Sequence, residues 1–339
     1  MTDPSSPRNW KLLEIRPLAP GRGRLISIAN QKGGVAKTTT AVNLAAGLAL
    51  RGHKVLVIDI DPQSNATTGL GVDHRSVEYS TYDLITGGAR FDQVVRDTDI
   101  PGLHVVPSSL DLAGAEIELV GSIAREKKLA EALEGIEKRY ELMFIDCPPS
   151  LGLLTINALA ASSDLIIPVQ CEFYALEGLG QLLGTAERIR RSLNTELRIS
   201  GFLLTMFDAR TNLATQVADD VRGHFGDLVL DTIIPRSVRI SESPSFGEPV
   251  LTLDPSSRGA VSYRLLAAEI EARYALDQHP PAPPQPASVA GGNEPRAEAH
   301  HHDPKPTPGP GGRGYGTVAA EPPGLDRLWP RRDPWTVRT

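Results

Sequence analysis

The sequence predicts an α/β fold: a mostly parallel, twisted sheet with helices on both faces. Three observations predict it. Short apolar runs alternate with longer stretches at helical spacing, the order that βαβ units produce. The strand candidates are apolar along almost their whole length, as strands covered on both faces are. A run of small residues joins the first strand to the first helix, at the end of the sheet where such folds hold their ligands.

The elements follow in order. Strands are predicted at residues 25–29 (Leu-Ile-Ser-Ile-Ala), 55–59, 103–106 (Leu-His-Val-Val), 142–146, 165–169 (Leu-Ile-Ile-Pro-Val), 201–206 and 232–234. Helices are predicted at 38–50, 110–120, 124–140, 153–161, 176–193, 212–225 and 259–274, where apolar residues recur every three or four positions. No internal repeat is visible.

Composition bounds the rest. The chain has 339 residues, 40% hydrophobic and 22% charged, with a formal net charge of −6. A protein that coats nucleic acid over its whole surface is usually basic, so any DNA contact must be local. No apolar run reaches the roughly 18 to 20 residues of a membrane span. The first 20 residues lack the apolar core of a secretory signal. Two cysteines, Cys147 and Cys171, give no disulfide framework and fit a reducing compartment. Every basic residue from Arg188 to Arg264 other than His224 is arginine, which reads either as a preference for forked phosphate contacts or as compositional bias. Three regions are expected: a flexible extension at 1–23, a folded domain at 24–276 and a disordered tail at 277–339. From His279 onward the chain carries half of its 28 prolines and the run His300-His301-His302, too little apolar surface to offset ordering. All three tryptophans, Trp10, Trp329 and Trp335, lie in the two ends, and residues 328–335 (Leu-Trp-Pro-Arg-Arg-Asp-Pro-Trp) have the look of a short partner motif.

After the first strand comes Asn30-Gln31-Lys32-Gly33-Gly34-Val35-Ala36-Lys37-Thr38-Thr39-Thr40. Small residues let backbone N–H groups turn toward a phosphate, and the helix start that follows adds its positive dipole end. Lys37 is placed to reach β- and γ-phosphates and the Thr38 hydroxyl to ligate Mg²⁺. The common G-x-x-x-x-G-K-[ST] pattern is not met: Gln31 and Ala36 stand where its glycines belong, and a second lysine, Lys32, opens the loop. Ala36 raises a question of backbone strain. The second strand ends in Asp59-Ile60-Asp61-Pro62-Gln63; strand alternation puts Asp59 and Asp61 on one side, beside the loop, where acids position water and metal. The strand at 142–146 ends in Asp146, followed by Cys147-Pro148-Pro149, the form of an acid that holds Mg²⁺ directly or through water. Cys147 and Cys171 read as small buried thiols rather than cluster ligands.

The pattern K-G-G-x-x-K-[ST] resembles the deviant Walker A motif of the ParA/MinD family of P-loop NTPases. Four further segments resemble its ParA/Soj partitioning branch: 111–119, 168–179, 204–212 and 234–242. The resemblance spans about residues 24–276. It implies ATP and Mg²⁺ as cofactors, with Lys32, Gly33, Gly34, Val35, Ala36, Lys37, Thr38 and Thr39 around the phosphates. It implies that Lys32 reaches across a homodimer in the ATP state, that Asp61 is the hydrolytic acid, and that Asp59 supports it near Mg²⁺. Metal candidates are then Thr38, Asp61 and Asp146. Met206 and Pro235 flank the adenine, with Arg236 on the nucleotide side. Arg210 and Arg239 contact double-stranded DNA without sequence preference. The resemblance also implies a ParB-like centromere-binding protein that stimulates slow hydrolysis, and a cytoplasmic, nucleoid-associated location. Rival readings are the positioning of a non-DNA cargo, a MinD-like division-site regulator, which would want a C-terminal amphipathic helix, and a metabolic enzyme on the same fold.

Overall fold

The computed structural model describes residues 22–172, 175–176 and 178–276. The N-terminal extension, the tail with its histidine run and tryptophan motif, and Phe173, Tyr174 and Glu177 lie outside the described residues.

Seven strands form one sheet: β1 (Arg24–Ile28), β2 (Val55–Asp59), β3 (Arg96–Asp97), β4 (Leu103–Val106), β5 (Leu142–Asp146), β6 (Asp164–Gln170) and β7 (Arg198–Thr205). Their spatial order is β3-β4-β2-β5-β1-β6-β7, all parallel except β3 against β4. The apolar strands alternate between two cores. Leu56, Ile58, Met143, Ile145, Leu165 and Ile167 face one layer. Val55, Val57, Leu142, Phe144, Ile166 and Leu203 face the other, beneath α1 (Lys37–Ala49) and α12 (Arg258–Arg273). The two helices can approach closely because α1 is built of small residues: a Cβ on Gly47 would lie 3.0 Å from the Ala267 Cβ. Arg24 fixes the start of β1, bonding Asp164 at 2.7 Å and lying over the Tyr274 ring.

The remaining helices are short except for three: α2 (Asn65–Gly69), α3 (Thr81–Thr86), α4 (Phe91–Val94), α5 (Leu112–Glu118), α6 (Lys128–Ala132), α7 (Leu153–Ala161), α8 (Leu179–Ser192), α9 (Asn212–Phe225), α10 (Val238–Glu242) and α11 (Val250–Leu253). Three expectations need correction. Residues 124–140 are not one helix: Ala124 and Gly135 take left-handed φ of 53° and 84°, which breaks the stretch into short turns. Residues 232–234 form no strand of the sheet: isolated bridges, Phe202 to Val229 and Phe207 to Pro235, fall on either side of them, and Ile234 donates its N–H to the Leu204 carbonyl at 2.9 Å. The edge strand β3 was not foreseen, so the strand ending in Asp146 is the fifth.

What positions the site is the insertion of β5 between β2 and β1. Parallel register sets Asp59 beside Asp146, and Asp146 beside Ile28, the last residue before the loop.

Candidate functional site: a phosphate loop over buried carboxylates

The loop between β1 and α1 is shaped by two left-handed residues, Gly34 (φ 72°) and Ala36 (φ 66°, ψ 35°). Alternation of this kind makes an anion nest of backbone N–H groups. Ala36 is also the N-cap of α1, and no side chain caps that helix. The first intrahelical bond is Thr40 N–H to the Ala36 carbonyl at 2.9 Å, so the N–H groups of Lys37, Thr38 and Thr39 are without helical acceptors. The resulting site combines free donors with the positive end of a 13-residue helix.

Neighbouring segments hold the loop. Asn30 accepts from the Lys32 N–H at 3.0 Å and donates to the Pro168 carbonyl at 2.7 Å. Thr205, at the end of β7, donates to the buried Val35 carbonyl. Lys37 folds back beneath the loop, its Nζ 3.3 Å from the Lys32 carbonyl. Burial lowers the Lys37 pKa, opposed chiefly by Asp146. Gly33 and Gly34 are exposed, and a Cβ on either would meet nothing within 4 Å. The Lys32 ammonium makes no hydrogen bond or ion pair among the described residues.

Three carboxylates converge below: Asp59, Asp61 and Asp146, at 0%, 6% and 0% exposure. They differ in what they do. Asp59 is spent on the fold. Its Oδ1 accepts from the Asp61 N–H and its Oδ2 from both the backbone and hydroxyl of Thr67. Burial raises its pKa to about 6 even so. It therefore braces the turn that presents Asp61. Asp61 accepts from the Gln63 N–H through Oδ1. Its Oδ2 accepts nothing among the described residues. Asp146 is the converse of Asp59: both oxygens are buried with no hydrogen-bond partner of normal geometry. Burial, then the Asp59 charge, push its pKa well up; the nearby Thr38 hydroxyl opposes this and Lys37 does so least.

A buried carboxylate without a partner, beside a hydroxyl and under the influence of two further acids and one buried lysine, fits a small divalent cation. Among the described residues no three His, Cys, Asp or Glu side chains could hold a metal together. Mg²⁺ does not need such a cage, since it retains waters and uses one or two protein oxygens plus phosphates. Cys147, fully buried beside Asp146, has its thiol pKa pushed up, which makes it inert.

The other predicted residues lie along the rim. Met206 (φ 52°) follows directly after β7 and receives the Gln170 amide on its sulfur at 3.4 Å. The bridge from Phe207 to Pro235 brings Met206 and Pro235 to the same edge. Arg236 is 66% exposed and pairs with Glu172 at 3.3 Å. Arg210 is 85% exposed, forked onto Asp208, whose pKa its hydrogen bonds lower to about 2. Arg239 lies between Glu242 and Asp254, each at 3.3 Å.

This arrangement has known counterparts. A family model described as an AAA domain matches residues 23–199. The chain is 55% identical over 250 residues, 74% of its length and 99% of the relative's, to the sporulation initiation inhibitor protein Soj of Bacillus subtilis. It is 51% identical over 252 residues to the chromosome partitioning protein ParA of Caulobacter vibrioides, covering 94% of that protein. The chain belongs to the ParA/Soj family of chromosome-partitioning ATPases. The fold also matches a crystal structure of cobyrinic acid a,c-diamide synthase from Mycobacterium smegmatis with bound ADP and magnesium, at TM-score 0.66 and 36% identity, over 77% of this chain and all of that one. Among the described residues no helix is long and apolar enough to cross a membrane.

Sequence reasoning missed the residues that hold this ParA/Soj site in shape. Thr67 braces Asp59, and Ser108 ties Thr67 to the backbone of Asp61, donating its N–H to the Thr67 hydroxyl and its own hydroxyl to the Asp61 carbonyl at 2.7 Å. The threonine eight residues past Asp59 was a usable signal; Ser108, 47 residues from Asp61, was not.

Proposed function

We propose that this protein is a Mg-ATP-dependent switch that dimerises on ATP, binds double-stranded DNA without sequence preference in that state, and drives chromosome or plasmid partitioning with a ParB-like partner. The observation that carries the proposal is the buried Asp146, without a hydrogen-bond partner of normal geometry, beside Thr38 and Lys37 at a helix start whose Lys37, Thr38 and Thr39 N–H groups have no helical acceptor. Thr38 and Asp146 would hold Mg²⁺, which when bound neutralises charge on the phosphates. The N–H groups of residues 33–39 cradle those phosphates and Lys37 supports the developing charge. Asp61, with its free Oδ2, orients the attacking water in line with the γ-phosphate. Met206 and Pro235 flank the base, and Arg236 serves the nucleotide side.

The free Lys32 ammonium and the open space at Gly33 support a close, flat interface in which Lys32 reaches the partner's nucleotide. Hydrolysis alone is slow on this reading. DNA binding rests on Arg210 and Arg239. Both are engaged by carboxylates, but exposed pairs of this kind are weakly held and a phosphate can displace them. Dimerisation doubles the contacts, and electrostatic affinity climbs steeply with their number. The protein is accordingly placed in the cytoplasm, on the nucleoid. The test is binding of the Asp61→Ala protein to random-sequence duplex DNA with ATP, ADP or no nucleotide: binding confined to ATP is expected, and an ATP-bound dimer that ignores DNA would overturn the proposal.

A further inference from the structure

The opposite end of the sheet from the nucleotide loop carries a groove of about 670 Å³. Its floor is apolar, from Leu25, Ala130, Leu133, Met143 and Ala161. Its rim is charged in both signs: Glu134, Glu137 and Glu196 stand with Arg22, Lys127 and Arg198. Among the described residues those three glutamates make no ion pair.

The chain itself enters the fold through this groove. Gly23 donates its N–H to the Glu137 carbonyl at 2.6 Å, and Arg24 donates to the Glu141 carbonyl at 2.9 Å. A Cβ on Gly23 would overlap the Tyr140 carbonyl oxygen, so only glycine can lie this close. The clamp fixes where residue 22 sits, and Arg22 is part of the groove wall. The 21 residues before it contain one apolar cluster, Trp10, Leu12, Leu13, Ile15 and Leu18, interleaved with Lys11, Glu14 and Arg16. At about 3.3 Å per extended residue, the twelve-residue span from Trp10 to Arg22 reaches up to about 40 Å, ample to return along the groove.

We propose that residues 10–18 of this same chain dock in the groove, Trp10 and the leucines on its apolar floor and Lys11 and Arg16 against Glu134, Glu137 and Glu196. This makes the N-terminal extension an intramolecular clasp on the face remote from nucleotide.

The test uses the full chain with Trp329→Phe and Trp335→Phe, which leaves Trp10 as its one tryptophan. Acrylamide quenching of Trp10 is compared with that of a synthetic peptide of residues 1–21. The docked segment gives a several-fold lower quenching constant and a blue-shifted emission. Glu134→Lys with Glu137→Lys, both on the groove rim, returns quenching to the peptide's value while circular dichroism and nucleotide binding stay unchanged. Quenching of Trp10 equal to the peptide's in the parent chain overturns the proposal. Protection that survives the rim substitutions, or that disappears on dilution, also overturns it, because the segment then lies elsewhere or on a second copy.

Discussion

Replacing Asp146 with asparagine separates stability from function. Asp146 has both carboxylate oxygens buried and unpartnered, and its pKa is pushed well up by burial and by Asp59. A buried polar group without a partner costs about 1–3 kcal/mol, more when charged. The attraction of Lys37, the smallest of the influences on Asp146, lessens this cost. Asp146→Asn should therefore stabilise the nucleotide-free protein by about 1–3 kcal/mol near pH 8, or about 2–10 °C in Tm for a domain of this size. The sign with pH follows from the raised pKa. The wild-type carboxyl favours the fold most below its unfolded value, and that benefit is lost as pH rises through the folded one. The advantage of the variant thus grows with pH and fades toward pH 4. Mg-ATP closes or reverses the gap: at 100 times Kd a ligand adds about 2.7 kcal/mol to the wild type, and the variant gains much less. Thermal melts at pH 5 and 8, with and without Mg-ATP, read all four quantities. A variant that melts below the wild type without nucleotide, or is stabilised equally by Mg-ATP, refutes the reasoning.

Three further outcomes are expected. Gly33→Val should bind nucleotide with near wild-type affinity but fail to dimerise, since its Cβ meets nothing in the monomer and projects outward; equilibrium binding and light scattering with ATP check this. Ala36→Gly should stabilise the protein by up to about 1 kcal/mol, read as a small rise in Tm in a thermal melt, because a left-handed conformation strains alanine by about 1–2 kcal/mol and part of the relief is returned as unfolded-chain entropy. Arg210→Ala and Arg239→Ala should each reduce the slope of log DNA affinity against log salt by about 1.8 per dimer, two phosphate contacts at about 0.9 each, while leaving ATP turnover in the absence of DNA unchanged.

Much of the fold and site was legible because parallel strands buried on both faces advertise themselves. Residues 55–59, 103–106 and 142–146 read as largely apolar runs, and the structure places strands there. The loop was legible through the pairing of Lys32 and Lys37 around two glycines. What failed has physical reasons. β3 is two polar residues, Arg96 and Asp97, with no apolar face to betray it. The stretch 124–140 keeps helical spacing at Leu129, Leu133 and Ile136, but backbone turns at Ala124 and Gly135 override it. The insertion of β5 between β1 and β2 is a matter of topology, which local pattern does not encode. The two acids of the Asp59-Ile60-Asp61 stretch looked equivalent by alternation. Only the contacts of Thr67 distinguish the one spent on the fold from the one left free.

The central claim is that nucleotide state governs DNA binding. The most direct measurement is the affinity of Asp61→Ala protein for random-sequence duplex at low salt, in ATP, in ADP and without nucleotide. The account expects tight, sequence-independent binding with ATP alone, weakened steeply by added salt. Equal binding in all three conditions, or none despite an ATP-bound dimer, would contradict it.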